Sequence, residues 1–449
     1  YDYDSLGRLV KEIKYREDNK EPVVTSLKYD GFDNVIAITD PRGNSNQPKW
    51  KYTTRYKYDA LGRREEIIYP DDTQHLSDNP RKQMYFDYTK NMMKIIDEKG
   101  NISKEYYDMQ GNVIKKLVYY DNQIAESKNY FDGLGNQVIS INAKGGKTIK
   151  KYSPLNLVKE VRKPREEFKE DGNLITLRPY QRFEYNQAGQ KIKKIISTAN
   201  NQETITNYKV NGLGWVISKA TSYSDNGEER KSVTEIYYDN NGNKKKVIDA
   251  KNTPLPKDEQ KYFSYTYDAA GRVLSKTDPN GNITSYTYDA NGNRTSMTDP
   301  RGNSGNYDGD FTIIYEYDEL NRLTKGYLPA NFGEGNKAVV DLKYDLRGNL
   351  IERIEPDGAK KLYTYTPRNL VKTKTSKGDG KSYTTKYHYD KAGNQKEIID
   401  PQGNKTIKYY NEFNKVSKII YPEGNTEKFR YDINAKVKYK IDGNNSWTE

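Results

Sequence analysis

Carboxylates are the first residues along this chain whose type and spacing could do chemistry. Asp59, Asp268, Asp289 and Asp390 each follow a tyrosine, while Asp278, Asp299 and Asp400 each precede a proline. Two carboxylates at a set distance in unlike environments would serve as general acid and base. These aspartates instead return in one local context, so each is read as a turn cap whose carboxylate accepts backbone N–H groups. Asp289, Asn291 and Asn293 have the spacing of the first ligands of a calcium loop, yet Gly292 lies between the second and third, and Pro300 stands where a ligating glutamate belongs. His75 and His388 are the two histidines; His388, between Tyr387 and Tyr389, reads as a strand residue facing away from the tyrosines. No G-x-S-x-G elbow accompanies them. The run Gly378 to Ser382 ends like a phosphate loop, but Thr375 replaces its first glycine, and the run is read as a long hairpin turn. The sequence offers no nucleophile, metal set or cofactor loop, and the expectation is a protein that is not an enzyme.

The elements that carry these residues follow from their spacing. Tyr265 and Tyr267 share one face of a strand, with Ser264, Thr266 and Asp268 on the other. Asp268 and Gly271 then bracket a turn in which the carboxylate bonds the backbone two residues on and glycine takes a positive φ. A second strand, 273–277, leads to Asp278, Pro279, Asn280 and Gly281, a second hairpin turn. The unit is strand, turn, strand, turn.

That unit repeats. Tyr267, Asp268, Gly271, Asp278 and Gly281 are answered 21 residues later by Tyr288, Asp289, Gly292, Asp299 and Gly302. Tyr58, Asp59 and Gly62, and Tyr389, Asp390, Gly393, Asp400 and Gly403, stand in the same frame, and looser copies start at Tyr29, Tyr152, Tyr317, Tyr365 and Tyr410. About 18 units cover residues 1–449 as one continuous array with no separate globular domain. Two strands per unit give about 36 antiparallel strands, a length at which natural twist makes a sheet curl. Paired tyrosines such as Tyr286 and Tyr288 are expected to align ring upon ring between neighbouring units as an internal ladder. The longest insertions, 69–84, 162–181 and 253–260, are expected to leave the sheet as loops, the second able to add a small strand pair.

Composition agrees with a thin fold. Only 33% of the 449 residues are hydrophobic, yet 42 are tyrosine, so the chain is neither disordered nor rich enough for several ordinary cores. No run approaches the roughly 18 apolar residues of a membrane span, and zero cysteine excludes disulfides. The chain opens at Tyr1 inside a repeat, and is expected to be a piece of a longer protein.

At YDAAGRVLSKTDPNGN and YDANGNRTSMTDPRGN the sequence resembles the YD-repeat, or Rhs, family over essentially its whole length. That family includes bacterial Rhs toxins, shell components of Tc toxin complexes, wall-associated toxins and teneurins. The resemblance implies an all-β fold, a long curled antiparallel sheet of repeated hairpins forming a spiral, shell or tube wall. It also implies a secreted or cell-surface bacterial protein that encloses a toxin-like polypeptide encoded downstream. Terminal strand edges would let neighbouring copies add end to end. The self-cleaving core signature of Rhs toxins is not found after the last unit.

A net charge of +12 leaves a rival reading open, an adhesin that binds carbohydrate or an anionic wall polymer through exposed tyrosine and lysine. Acids interleave with the bases in nearly every unit, so nucleic acid is not expected as a partner, and clusters such as Lys244 to Lys246 read as solvated strand faces.

Overall fold

Tyr265 and Tyr267 are half-buried and Thr266 between them is exposed, the alternation of a strand with one packed and one wet face. The structure is a computed structural model describing all residues except 16–20, 46, 121–122, 165, 171–172, 178, 198–202, 226–227, 252, 306–310, 330–336, 432–435, 444–445 and 449. Of the 39 strands among the described residues, 37 belong to antiparallel ladders, and Glu166–Glu170 with Asn173–Leu177 form a separate antiparallel pair inside the second insertion. The fold is all-β and built of repeated hairpins, as the sequence predicts. The first insertion is shorter than its expected bounds, because Arg81–Asp87 is already a strand.

Two compact units emerge, each made of the same hairpins. Unit one comprises residues 1–126, 315–327 and 338–449, and unit two residues 127–314 and 328–337. In unit two the ladder runs hairpin by hairpin, for example Phe263–Tyr267 against Val273–Thr277, then Ile283–Tyr288, then Arg294–Thr298. Unit one contains two such rows. An early row runs from Asp2–Tyr3 through Val113–Tyr120, and a late row from Leu323–Tyr327 through Val437–Ile441 to Trp447–Thr448.

Burial is shallow in both. The buried hydrophobic side chains among the described residues are Val23, Ile68, Ala125, Ile248 and Ile441, and Ile248 alone is almost wholly enclosed. So small a core cannot hold the strands in place by itself, and lateral hydrogen bonds, half-buried faces and turn contacts must supply the rest.

Candidate functional site

The repeated turn is the most regular structure in the protein. At Asp268, Oδ1 accepts from the backbone N–H groups of Ala270 and Arg272, both at 2.9 Å, and Oδ2 accepts from Arg272 Nε at 2.6 Å. Gly271 N–H donates to the Asp268 carbonyl at 3.0 Å, with φ at +77°. A register shift beside Tyr267 completes a turn-plus-bulge hairpin. Asp59, Asp289 and Asp390 repeat the arrangement, their fourth-following residue being Arg63, Asn293 or Asn394. Gly62, Gly292 and Gly393 are likewise left-handed. Asp278 and Asp400 bond their own following amides and Asn282 or Asn404, with Gly281 and Gly403 left-handed. In the looser copies Asp33, Asn156, Asn321, Asn369 and Asn414 take the left-handed place, the residue types that bear it best after glycine.

One corner departs from the sequence reading. The repeat frame predicts a hairpin turn at Asp299 and Gly302, but Pro300–Ser304 is a single helical turn capped by Asp299, and Pro41–Asn44 is its short 3-10 counterpart capped by Asp40. Loop length explains the difference. After Asp278 the return strand starts at once, Thr277 pairing with Ile283, whereas Thr298 pairs with Thr312 and Thr39 with Thr53, so the chain continues around the helix instead of folding straight back. Glycine is needed there for room rather than for φ: a Cβ on Gly43 or Gly302 would come within 2.7 Å of the Thr39 or Thr298 methyl.

The tyrosines also act differently from the expected ring ladder. Several YD tyrosines donate their hydroxyl to a backbone carbonyl of the preceding hairpin, among them Tyr58 to Val35 at 2.8 Å, Tyr267 to Lys244 and Tyr288 to Val273 at 2.9 Å, and Tyr389 to Val371 at 2.8 Å, whereas Tyr107 donates to the Glu105 carboxylate. The recurring ring partner is the guanidinium of the preceding turn, as in Arg8 over Tyr29, Arg272 over Tyr288 and Arg322 over Tyr344, each 4.8–4.9 Å from the centroid. Trp215 takes that guanidinium's place against Tyr238, with ring centroids 5.3 Å apart. The units at Tyr29, Tyr288 and Tyr344 are thus tied to their neighbours by a phenol and a cation as well as by the ladder. Loss of one phenol at a time, in Tyr288→Phe and Tyr389→Phe, is expected to cost about 1 kcal/mol each in denaturant melts. No cost at either position would leave the stabilisation to the rings alone.

The same bonds set a pH window. The Asn282, Asn293 and Asn404 side chains hold Asp278, Asp289 and Asp400 below their ordinary 3.8, and Arg353 followed by Lys361 holds Glu355 down at about 2. Burial raises Tyr267, Tyr365, Tyr389 and Tyr410 above 10, and burial together with Glu105 pushes Tyr107 up to about 12. Depressed carboxyls stabilise the fold above their unfolded values and lose that contribution as pH falls through the folded ones. Raised phenols stabilise below their unfolded value and lose it as pH rises through the folded one. Stability measured against pH is therefore expected to fall below about 4 and above about 10, and a maximum on the acid side would contradict this.

In unit one, turns of the early row meet turns of the late row. Arg42 is buried at 8% exposure, forks onto Asp40 with Nη2 at 2.6 Å, lies 4.6 Å over the Tyr52 ring, and donates to the carbonyls of Pro367 at 3.0 Å and Thr366 at 3.4 Å. Lys99 donates to the Asn411 carbonyl at 3.1 Å, and Lys372 pairs with Asp72 at 3.2 Å, which Lys51 also contacts at 2.8 Å. Arg368 stacks 4.9 Å over Tyr69. The hydrogen-bonded clasps between the rows join residues 300 to 325 positions apart. Beside them a cavity of about 370 Å³ is lined by Asp71, Asp72, Arg368, Lys372, His388 and Lys391 among others. In unit two, a cleft of about 590 Å³ is lined by Lys209, Trp215, Tyr237, Tyr238, Asp239 and Asn240.

No catalytic constellation assembles around the sequence candidates. His388 is half-exposed with Nε2 3.8 Å from Glu397, and His75 is exposed in the loop before Arg81–Asp87. Both Asp289 oxygens already accept from Asn293, and no group of three metal-ligating side chains occurs among the described residues. The run at Gly378 is a tight two-residue turn, Asp379 and Gly380 at φ +49° and +72°, rather than a long one. No helix among the described residues is long and apolar enough to cross a membrane, which says nothing of strands. Sequence reasoning missed Arg42, whose signal was its place in Asp-Pro-Arg-Gly-Asn where other units have Asn280 or Gln402.

Residues 29–74 and 267–304 match the family model described as RHS Repeat. The chain carries Rhs repeats. No curated protein sequence matches this Rhs-repeat chain. The crystal structure of TcdB2-TccC3-Cdc42 is similar to it at 14% identity over 98% of this chain and 30% of that one, with a TM-score of 0.38. TcdB2-TccC3 without its hypervariable C-terminal region gives 15% identity, 98% and 29% coverage, and 0.37. The Photorhabdus luminescens Tc holotoxin pore gives 14%, 98%, 29% and 0.38. The Rhs-repeat chain thus spans about 30% of the length of the first of these.

Proposed function

We propose that this Rhs-repeat chain is a non-enzymatic wall element of a secreted or surface-displayed bacterial shell or tube, enclosing a toxin-like polypeptide encoded downstream. The observation that carries the reading is the clasp in unit one, where Arg42, Lys99 and Lys372 fasten the early row of hairpins to the late one. Hydrogen bonds within a row make a ribbon, and clasps between rows turn ribbon into wall. The repeat motif from Tyr58, Asp59 and Gly62 to Tyr389, Asp390 and Gly393 is the unit of that wall, and its aspartates are committed to backbone amides rather than to a substrate. Strand edges at the two ends of the array would accept further strands, a route to end-to-end polymers. The test is limited proteolysis of the repeat segment expressed in one chain with its downstream polypeptide. Protection of that polypeptide, lost on disruption of the clasps, is expected. Cleavage at the rate of the free polypeptide would overturn the reading.

A second reading, adhesion to carbohydrate or an anionic wall polymer, draws on the cleft in unit two, where Trp215 and Tyr238 present aromatic surface beside Asp239, Asn240 and Lys209. Glycan-array binding abolished by Trp215→Ala would favour it over the shell.

A further inference from the structure

Several first turns of unit one place an apolar residue at the tip, and the fate of that residue differs between its two rows. In the early row the tips are bare: Leu6 is 71% exposed, Phe32 88%, Leu61 69% and Met109 98%. In the late row the apolar tip residues of the corresponding turns, Leu320, Leu346, Pro367 and Phe413, are half-buried or buried. Their cover comes from the opposite rim of the early row, the second turns and their flanks. Pro41 and Tyr15 lie with Leu320 and Leu346 around one cleft, Arg42 caps the carbonyl of Pro367, and Asn101 reaches the carbonyl of Glu412 next to Phe413.

The rule visible inside the unit is first-turn rim against second-turn rim. By that rule unit one carries one unsatisfied rim of each kind. The early row's first-turn rim has its four bare tips, and the late row's second-turn rim exposes Pro356, Pro401 and Pro422 with the turns around them. Scattered exposed apolar residues need no explanation, but these stand at the tips of four first turns along one rim, Leu6, Phe32 and Leu61 two residues after the capping aspartate and Met109 one after it.

We infer that the rim bearing Leu6, Phe32, Leu61 and Met109 is a docking surface for the second-turn rim of another copy of this chain. The contact joins unlike surfaces, so it is heterologous and can add copies without closing. It uses turn tips, and so differs from addition at strand ends. It rests on the wall reading only in treating clasped rows as the building principle, and it is measured without any enclosed polypeptide, so either can fail alone.

Sedimentation velocity of the chain over about a hundredfold range of concentration reads it directly. The wild-type chain is expected to associate as concentration rises. The variant Leu6→Asn, Phe32→Asn, Leu61→Asn and Met109→Asn changes side chains that are solvent-exposed, so it is expected to keep its circular dichroism and melt while its association constant falls by more than about tenfold. A wild-type chain that stays monomeric throughout would overturn the inference. So would association that the fourfold variant leaves intact, which would place the contact elsewhere, the strand ends included.

Discussion

Arg42→Ala is expected to destabilise unit one by about 3–5 kcal/mol, the cost of breaking a buried ion pair by removing one partner. Its side chain is 10% exposed and that of Asp40 14%, so the substitution leaves a carboxylate without its guanidinium and removes the Arg42 donor from the Pro367 carbonyl, while the Thr366 carbonyl keeps the Asn369 N–H. Arg42→Lys should recover little, because an ammonium cannot fork onto Asp40 while reaching two carbonyls. Arg301 supplies the control. It occupies the same place in the second Asp-Pro-Arg-Gly-Asn run and pairs with Asp299, but its side chain is 58% exposed. Arg301→Ala is expected to cost less than about 1 kcal/mol. Hydrogen exchange should show the 366–370 turn opening in the Arg42 variant and unchanged in the Arg301 variant. Equal costs for the two would mean that the clasp contributes nothing beyond the local cap.

The second large effect lies in the turn glycines. Gly271, Gly292 and Gly393 sit at φ +77°, +90° and +87°. An L-residue there costs roughly 1–2 kcal/mol, more when branched at Cβ, and separate sites add. The triple variant Gly271→Val, Gly292→Val and Gly393→Val is expected to lose roughly 3–6 kcal/mol, a large share of the stability of an ordinary domain. Replacing the same three by asparagine should cost far less, since Asn321, Asn369 and Asn414 already hold that conformation in other units at φ +61°, +63° and +55°. Valine tolerated as well as asparagine would contradict the turn scheme.

These two variants mark what was legible in the sequence and what was not. The turns could be read because aspartate and glycine are demanded by backbone geometry within five residues, and that demand repeats. Strands between them followed from period-two alternation, and the insertion holding Glu166–Glu170 showed its strand pair. The helical corner at Asp299 could not be told from the hairpin at Asp278, because both read Asp-Pro-x-Gly-Asn and only the distance to the returning strand separates them. Tyrosine pairing was visible, but whether ring or hydroxyl made the contact depends on where the preceding hairpin puts its carbonyl, as Val273 does for Tyr288. Arg42 was hidden for a further reason. Its partners lie 324 and 325 positions away, and no local pattern encodes a contact at that range.

Electron microscopy of this repeat segment expressed in one chain with the cargo proposed to follow it tests the wall reading most directly. The account predicts a continuous wall of stacked rows with separate density on its inner side. Solid particles with no interior, or the proposed cargo standing outside as its own globule, would contradict it.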